Sequence, residues 1–138
     1  MGCDIHCHLE VKINNKWEHY SKPYIPRNYK LFGLMAGVRN KSMKPIVLPK
    51  GLPIDLSIIT KIDWEIWETD AHDTSWFNVD EIKILEEYLE KDKDLWWKEN
   101  YMYIWGYLFG NRFGDLFTYK NDYPKEIEDV RLIFWFDN

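Results

Sequence analysis

Between Cys3 and Ile13 the chain alternates without a break, with Cys3, Ile5, Cys7, Leu9, Val11 and Ile13 set against Asp4, His6, His8, Glu10 and Lys12. A period of two marks a strand with one face on a core. Asn14-Asn15 then offers the positive-φ residues of a two-residue hairpin, and Lys16 to Tyr20 returns as a second strand. A sheet therefore opens the chain, and later segments must cover its apolar face.

Lys22 to Pro26 carries two prolines and reads as a loop. Tyr29 to Ala36 places Leu31, Phe32, Leu34 and Met35 at helical spacing, and Gly37 closes that helix. Residues 38 to 56 hold Pro45, Pro49, Gly51 and Pro53 and are too broken for regular structure. Ser57 predicts the N-cap of a helix over about 58 to 68 carrying Ile59, Ile62 and Ile66. Asn78 with Glu81 predicts a capping box and a helix from Val79 to about Lys91.

Asp94 to Phe109 predicts an aromatic-rich helix ended by Gly110. Val130 to Phe136 is apolar on both faces, as in a strand buried between layers; laid antiparallel to the first strand, it brings Asp137 beside Asp4. The expected architecture is α+β: a small antiparallel sheet, the N-terminal hairpin plus the C-terminal strand, packed against about four helices on one side. With 138 residues and no repeat or linker, a single domain over 1–138 is expected.

The balance of 23 acidic against 18 basic residues, net −5, makes nucleic acid a poor partner, because phosphate binding runs on clustered Lys and Arg. No apolar stretch approaches the roughly 20 residues of a membrane span, and the polar start is unlike a secretory leader, so a cytoplasmic protein is expected. The myristoylation pattern suggested by Met1-Gly2 fails at His6. Cys3 and Cys7 would lie about 13 Å apart on one strand face, too far for a disulfide, and read as buried thiols.

Asp4, His6, His8 and Glu10 share one strand face, which is either a ligand-binding surface or simply the solvated side of a hairpin. Asp70, His72 and Asp73 form a second cluster ahead of Ser75 and Trp76. Asp4, His6, Asp70 and His72 together could hold a divalent metal such as zinc, which takes imidazole and carboxylate ligands; alternatively Asp70 caps a turn and His72 hydrogen-bonds it. Arg27, Asn28 and Tyr29 stand at a loop-to-helix junction suited to an anion, and Arg39 and Asn40 lie just past that helix. Pairing of both arginines with surface carboxylates is the plainer alternative. Trp96, Trp97, Tyr101, Tyr103, Trp105 and Tyr107 could stack bases, form a homo-oligomer interface or fill the core. Neither a nucleophile elbow nor a phosphate-cradling or dinucleotide motif is present.

Several of these segments together, Met1-Gly2-Cys3-Asp4-Ile5-His6 with Glu10, Arg27-Asn28-Tyr29 through Leu31-Phe32-Gly33 to Ala36-Gly37-Val38-Arg39-Asn40, Gly51-Leu52-Pro53, Asp70-Ala71-His72 with Ser75-Trp76, and Phe134-Trp135-Phe136-Asp137-Asn138, resemble a family of small bacteriophage and prophage proteins from end to end. The resemblance implies a phage setting and a shared pocket, but no reaction; it favours Asp4, His6, Glu10, Asp70 and His72 over His8. Three functions are then open. A phage accessory, counter-defence protein would bind a nucleotide-like signal, with Arg27 and Arg39 on phosphate, Asp4, His6 and Glu10 on hydroxyls or base edges, Trp76 or Tyr29 stacking, and Asn28, Asn40, Ser75 and Asp137 completing the pocket. A metal-dependent hydrolase would use His6, His72 and Asp70 or Asp4 with Glu10 or Asp73 as base. A non-catalytic inhibitor would dock on a host defence protein through acidic residues such as Glu86, Glu87 and Glu90.

Overall fold

The computed structural model describes residues 2–91 and 127–138. In order they form β1 (Asp4–Ile13), β2 (Lys16–Ser21), α1 (Tyr29–Ala36), α2 (Ile58–Trp67), β3 (His72–Phe77), α3 (Val79–Lys91) and β4 (Ile127–Asp137). The fold is α+β, with one four-stranded antiparallel sheet of order β2-β1-β4-β3. Three helices are seen among the described residues rather than four. The one expected over 94–109, with the aromatic set from Trp96 to Tyr107, lies outside them.

Local signals explain most of the elements. Asn14 and Asn15 adopt φ of 50° and 63°, the paired left-handed geometry of a tight hairpin turn. Asn28 caps α1 by accepting from Leu31 N at 3.1 Å, and Gly37 ends it at φ 74°. Gly33 lies so close to Asn40 that an added Cβ would stand 2.7 Å from the Asn40 Cβ, so only glycine lets the following loop fold back there. Asn78 and Glu81 exchange both capping hydrogen bonds at the start of α3, at 3.0 and 2.9 Å.

One sheet face carries Cys3, Ile5, Cys7, Leu9, Val11, Phe77, Val130, Leu132, Phe134 and Phe136 into a core with Leu31, Phe32, Leu34 and Met35 from α1 and Ile82 and Leu85 from α3. Cys3 and Cys7 are free and buried in it. Burial pushes both thiols up from their ordinary pKa, which keeps them protonated and unreactive.

Helices do not sit on one side only. α2 lies on the opposite face against His8, Glu10 and Trp135, while Asp55 ahead of it and Trp17 of β2 cover Arg131; His8, Glu10, Arg131, Ile133 and Trp135 are all buried there. That is why β4 is apolar on both faces. The strand β3 was also not expected: His72–Phe77 begins with polar residues, and Asp73 at φ 49° breaks its register against β4.

Candidate functional site

The face beneath α2 is built from charges. Glu10 and Arg131 are cross-strand neighbours, 0% and 3% exposed. Arg131 donates from Nε and Nη2 to Glu10 Oε1 at 2.8 and 2.7 Å, and from Nη1 to Asp55 Oδ1 at 2.7 Å. Glu10 Oε2 accepts from Ser57 N at 3.0 Å and Thr60 Oγ1 at 2.7 Å. Ser57 Oγ pairs with Thr60 instead of capping the helix itself, so the Glu10 carboxylate takes over the role of cap. Every lone pair that a buried carboxylate must satisfy thus has a partner inside the chain. Glu10 anchors α2 and has nothing left for a ligand or for base catalysis.

Further along the same face, His8 Nε2 lies 2.7 Å from Asp63 Oδ2 and its Nδ1 lies 2.9 Å from His19 Nε2. Lys22 reaches the same Asp63 oxygen at 3.1 Å. Burial lowers the pKa of His8, against the pull of Asp63, and lowers that of His19. Desolvation would raise the Asp63 carboxyl, but the hydrogen bonds from His8 and Lys22 outweigh it and hold that group below its ordinary value.

Asp4 and His6 sit at the sheet end where β1 begins and β4 finishes. Asp4 and Asp137 are cross-strand partners, as the antiparallel arrangement requires. Arg27 holds both Asp4 oxygens, Nε to Oδ1 at 2.6 Å and Nη2 to Oδ2 at 3.2 Å, and these hydrogen bonds keep the Asp4 carboxyl below its usual pKa. The Arg27 guanidinium lies against Gly2, where a Cβ would collide with it. His6 Nε2 is 3.2 Å from Asp137 Oδ2, and its ring stands 4.2 Å from Trp67 and 5.9 Å from Trp135. The Tyr29 hydroxyl accepts from Cys3 N at 3.1 Å, and the Arg39 guanidinium lies over the Tyr29 ring at 5.6 Å. Asn40 serves its own loop, accepting from Met43 N at 3.2 Å and Ser42 Oγ at 2.7 Å.

The four residues expected to share a metal do not come together as a ligand set. His72 is engaged by Asp73 on one ring nitrogen and by Asn138 on the other, not by Asp70. Asp70 stands exposed at the turn after α2, Asp4 is tied to Arg27 and His6 to Asp137. Among the described residues no three His, Cys, Asp or Glu side chains are placed to hold one ion.

Ser75 and Trp76 also part company with Asp4. Ser75 is buried on the core face, where its hydroxyl accepts from Lys50 N at 3.1 Å. Trp76 points to the other face and lines a cleft of about 600 Å³ with Trp17, Leu52, Pro53, Ile54, Asp55, Asn78, Asp129, Val130 and Arg131. A second cleft of about 530 Å³ shares Trp17 and Asp55 and runs beside His19, Leu56, Ile58 and Ile59. Neither is lined by Asp4 or His6. Lys12, next to Trp17, is eight residues along β1 from Asp4, or about 26 Å at ~3.3 Å per residue. The sheet thus separates the Asp4 end, where polar groups pair with one another, from the Trp17 end, where the clefts lie.

Arg131 and Trp17 were missed by sequence reasoning because Arg131 sits inside an apolar run and Trp17 in a short returning strand. A charged residue interrupting Val130 to Phe136 was the available signal for a buried ion pair. No family model, curated protein or solved structure matches the chain. No helix of the described residues is long and apolar enough to cross a membrane.

Proposed function

We propose that the chain is a non-catalytic binding protein, of the phage accessory kind its motifs resemble, that takes a small planar ligand into the cleft between Trp17 and Trp76. The cleft itself carries this reading: its volume falls within the 300–1,000 Å³ typical of small-molecule sites, and two indoles line it. Asp4, His6, Glu10 and His72 are each paired with another side chain among the described residues and line neither cleft, so the ligand is read at the indoles rather than at those groups.

The lining also speaks to the ligand's charge. Arg131 is neutralised by Glu10 and Asp55, and Lys50, over the Trp76 ring at 3.9 Å, is paired with Glu81. What remains in the cleft is one carboxylate oxygen each of Asp55 and Asp129 as acceptors, with the Asn78 amide N–H groups as donors, since the other Asp oxygens accept from Arg131 and Val130 N and the Asn78 oxygen from Glu81 N. Such a site suits a flat ring with N–H donors, as a nucleobase or nucleoside has, better than a string of phosphates. Arg27 and Arg39, expected to meet phosphate, stand at the far end of the sheet.

Titration of the protein with nucleosides and their phosphates, followed by tryptophan fluorescence and calorimetry, tests this. A nucleoside should bind at least as tightly as its triphosphate, and Trp76→Ala should weaken binding about tenfold or more, the loss of one stacking contact, without changing the melting curve. No saturable binding by any nucleoside would end the proposal.

A further inference from the structure

α2 is oriented opposite to its amphipathic expectation. Thr60, Asp63, Trp64 and Trp67 face the sheet, whereas Ile58, Ile59, Ile62 and Ile66 face away, the first and last of these 73% and 71% exposed. Ile54, on the loop leading into the helix, is fully exposed as well. At 100° per residue the four isoleucines form one stripe about 100° wide, the width with which helices normally bury themselves. The stripe is bordered on one side by Lys61 and Glu65, four residues apart and both exposed.

We propose that this outer face of α2 is a twofold interface between two copies of the chain. The charge pattern selects that occupant. A twofold axis through Ile62 sets two α2 helices antiparallel, so that Ile62 meets its own copy and Ile58 meets the partner subunit's Ile66. In antiparallel helices the same edge of each meets the same edge of the other, which puts Lys61 opposite the partner subunit's Glu65, twice. An interface that opposes its own charges correctly only when turned on itself is self-complementary. The net charge of −5 makes such local matching necessary, because two copies otherwise repel.

Area sets the strength. Four largely exposed isoleucines offer on the order of 400 Å² per chain, about half of the ~800 Å² per partner of a standard stable interface. Ile54 and the groove beside Ile58, Ile59 and Trp17 extend the face. The expected product is a reversible dimer with a dissociation constant on the order of micromolar, rather than an obligate one.

Sedimentation velocity of the full chain between about 1 and 200 μM tests this. Wild type should pass from monomer to dimer across that range, and Ile62→Glu should weaken association by at least about 30-fold. Lys61→Glu should weaken it about fivefold, and adding Glu65→Lys to Lys61→Glu should restore it, as only a self-complementary antiparallel contact allows. A monomer at every concentration overturns the proposal, as does a dimer indifferent to Ile62→Glu. A monomer whose melting temperature falls on Ile62→Glu overturns it too, because the face is then covered within the same chain.

Discussion

Toward α1 and α3 the sheet is covered almost wholly by apolar side chains, whereas toward α2 an ion pair and a His–His–Asp chain are set among Ile133, Trp135 and the indoles of Trp64 and Trp67. Both faces exclude water, but they constrain the helices above them differently. Apolar packing is non-directional and tolerates small shifts, so α1 and α3 are placed by shape. Hydrogen bonds that Glu10 accepts from Ser57 N and the Thr60 hydroxyl fix α2 to within a residue, because a slip of one position would strand a buried carboxylate. The polar face has a cost of its own: Trp135 Nε1 is buried without a partner among the described residues.

The sharpest way to break the comparison is to remove one charge of the pair. Glu10→Ala leaves Arg131 buried with only the exposed Asp55 to answer it, and should lower unfolding free energy by about 3–5 kcal/mol in urea denaturation. Glu10→Leu combined with Arg131→Met should recover most of that loss if the pair serves placement more than stability. On the other face, Leu132→Ala should cost about 3 kcal/mol, a cavity effect that no second substitution of charge can repair.

The smallest effect expected is a pH dependence confined to the polar face. His8 and His19 have folded pKa values below the unfolded value near 6.5, so the unfolded chain takes up protons first as pH falls. Stability should hold above about pH 7 and decline as pH drops through 6.5 toward the folded values. Melting temperatures between about pH 7.5 and 5.5 should fall for wild type and fall less for His8→Asn with His19→Gln. An unchanged slope in that variant would show that these imidazoles do not govern the response.

What the sequence made legible was local. The Cys3–Ile13 alternation, the Asn14-Asn15 turn, the Asn28 and Gly37 caps and the Asn78–Glu81 box each declare themselves within a few residues. The orientation of α2 is not local, because the helix carries two usable stripes and its own residues cannot say which one the sheet will take. Thr60 and Asp63 face inward because Glu10 and His8, some fifty residues earlier, need partners there. Asp4, Arg27, His6 and Asp137 do gather at one sheet end, while Trp76 lines a cleft away from them; that part of the expected company rested on motif order, which carries no distance.

The order β2-β1-β4-β3 also governs how the molecule can come into being. A nascent chain that has emerged only as far as Lys91 has its hairpin, its three described helices and β3, yet nothing to join β1 to β3. Closure waits for residues 127–137, whose pairing spans almost the whole sequence, from Asp4 to Asp137. Such non-local pairing is slow, and it leaves Glu10 and the apolar side of β1 unmatched on the ribosome. A chain that lacks β4 therefore cannot close this sheet, and folding waits on residues 127–137.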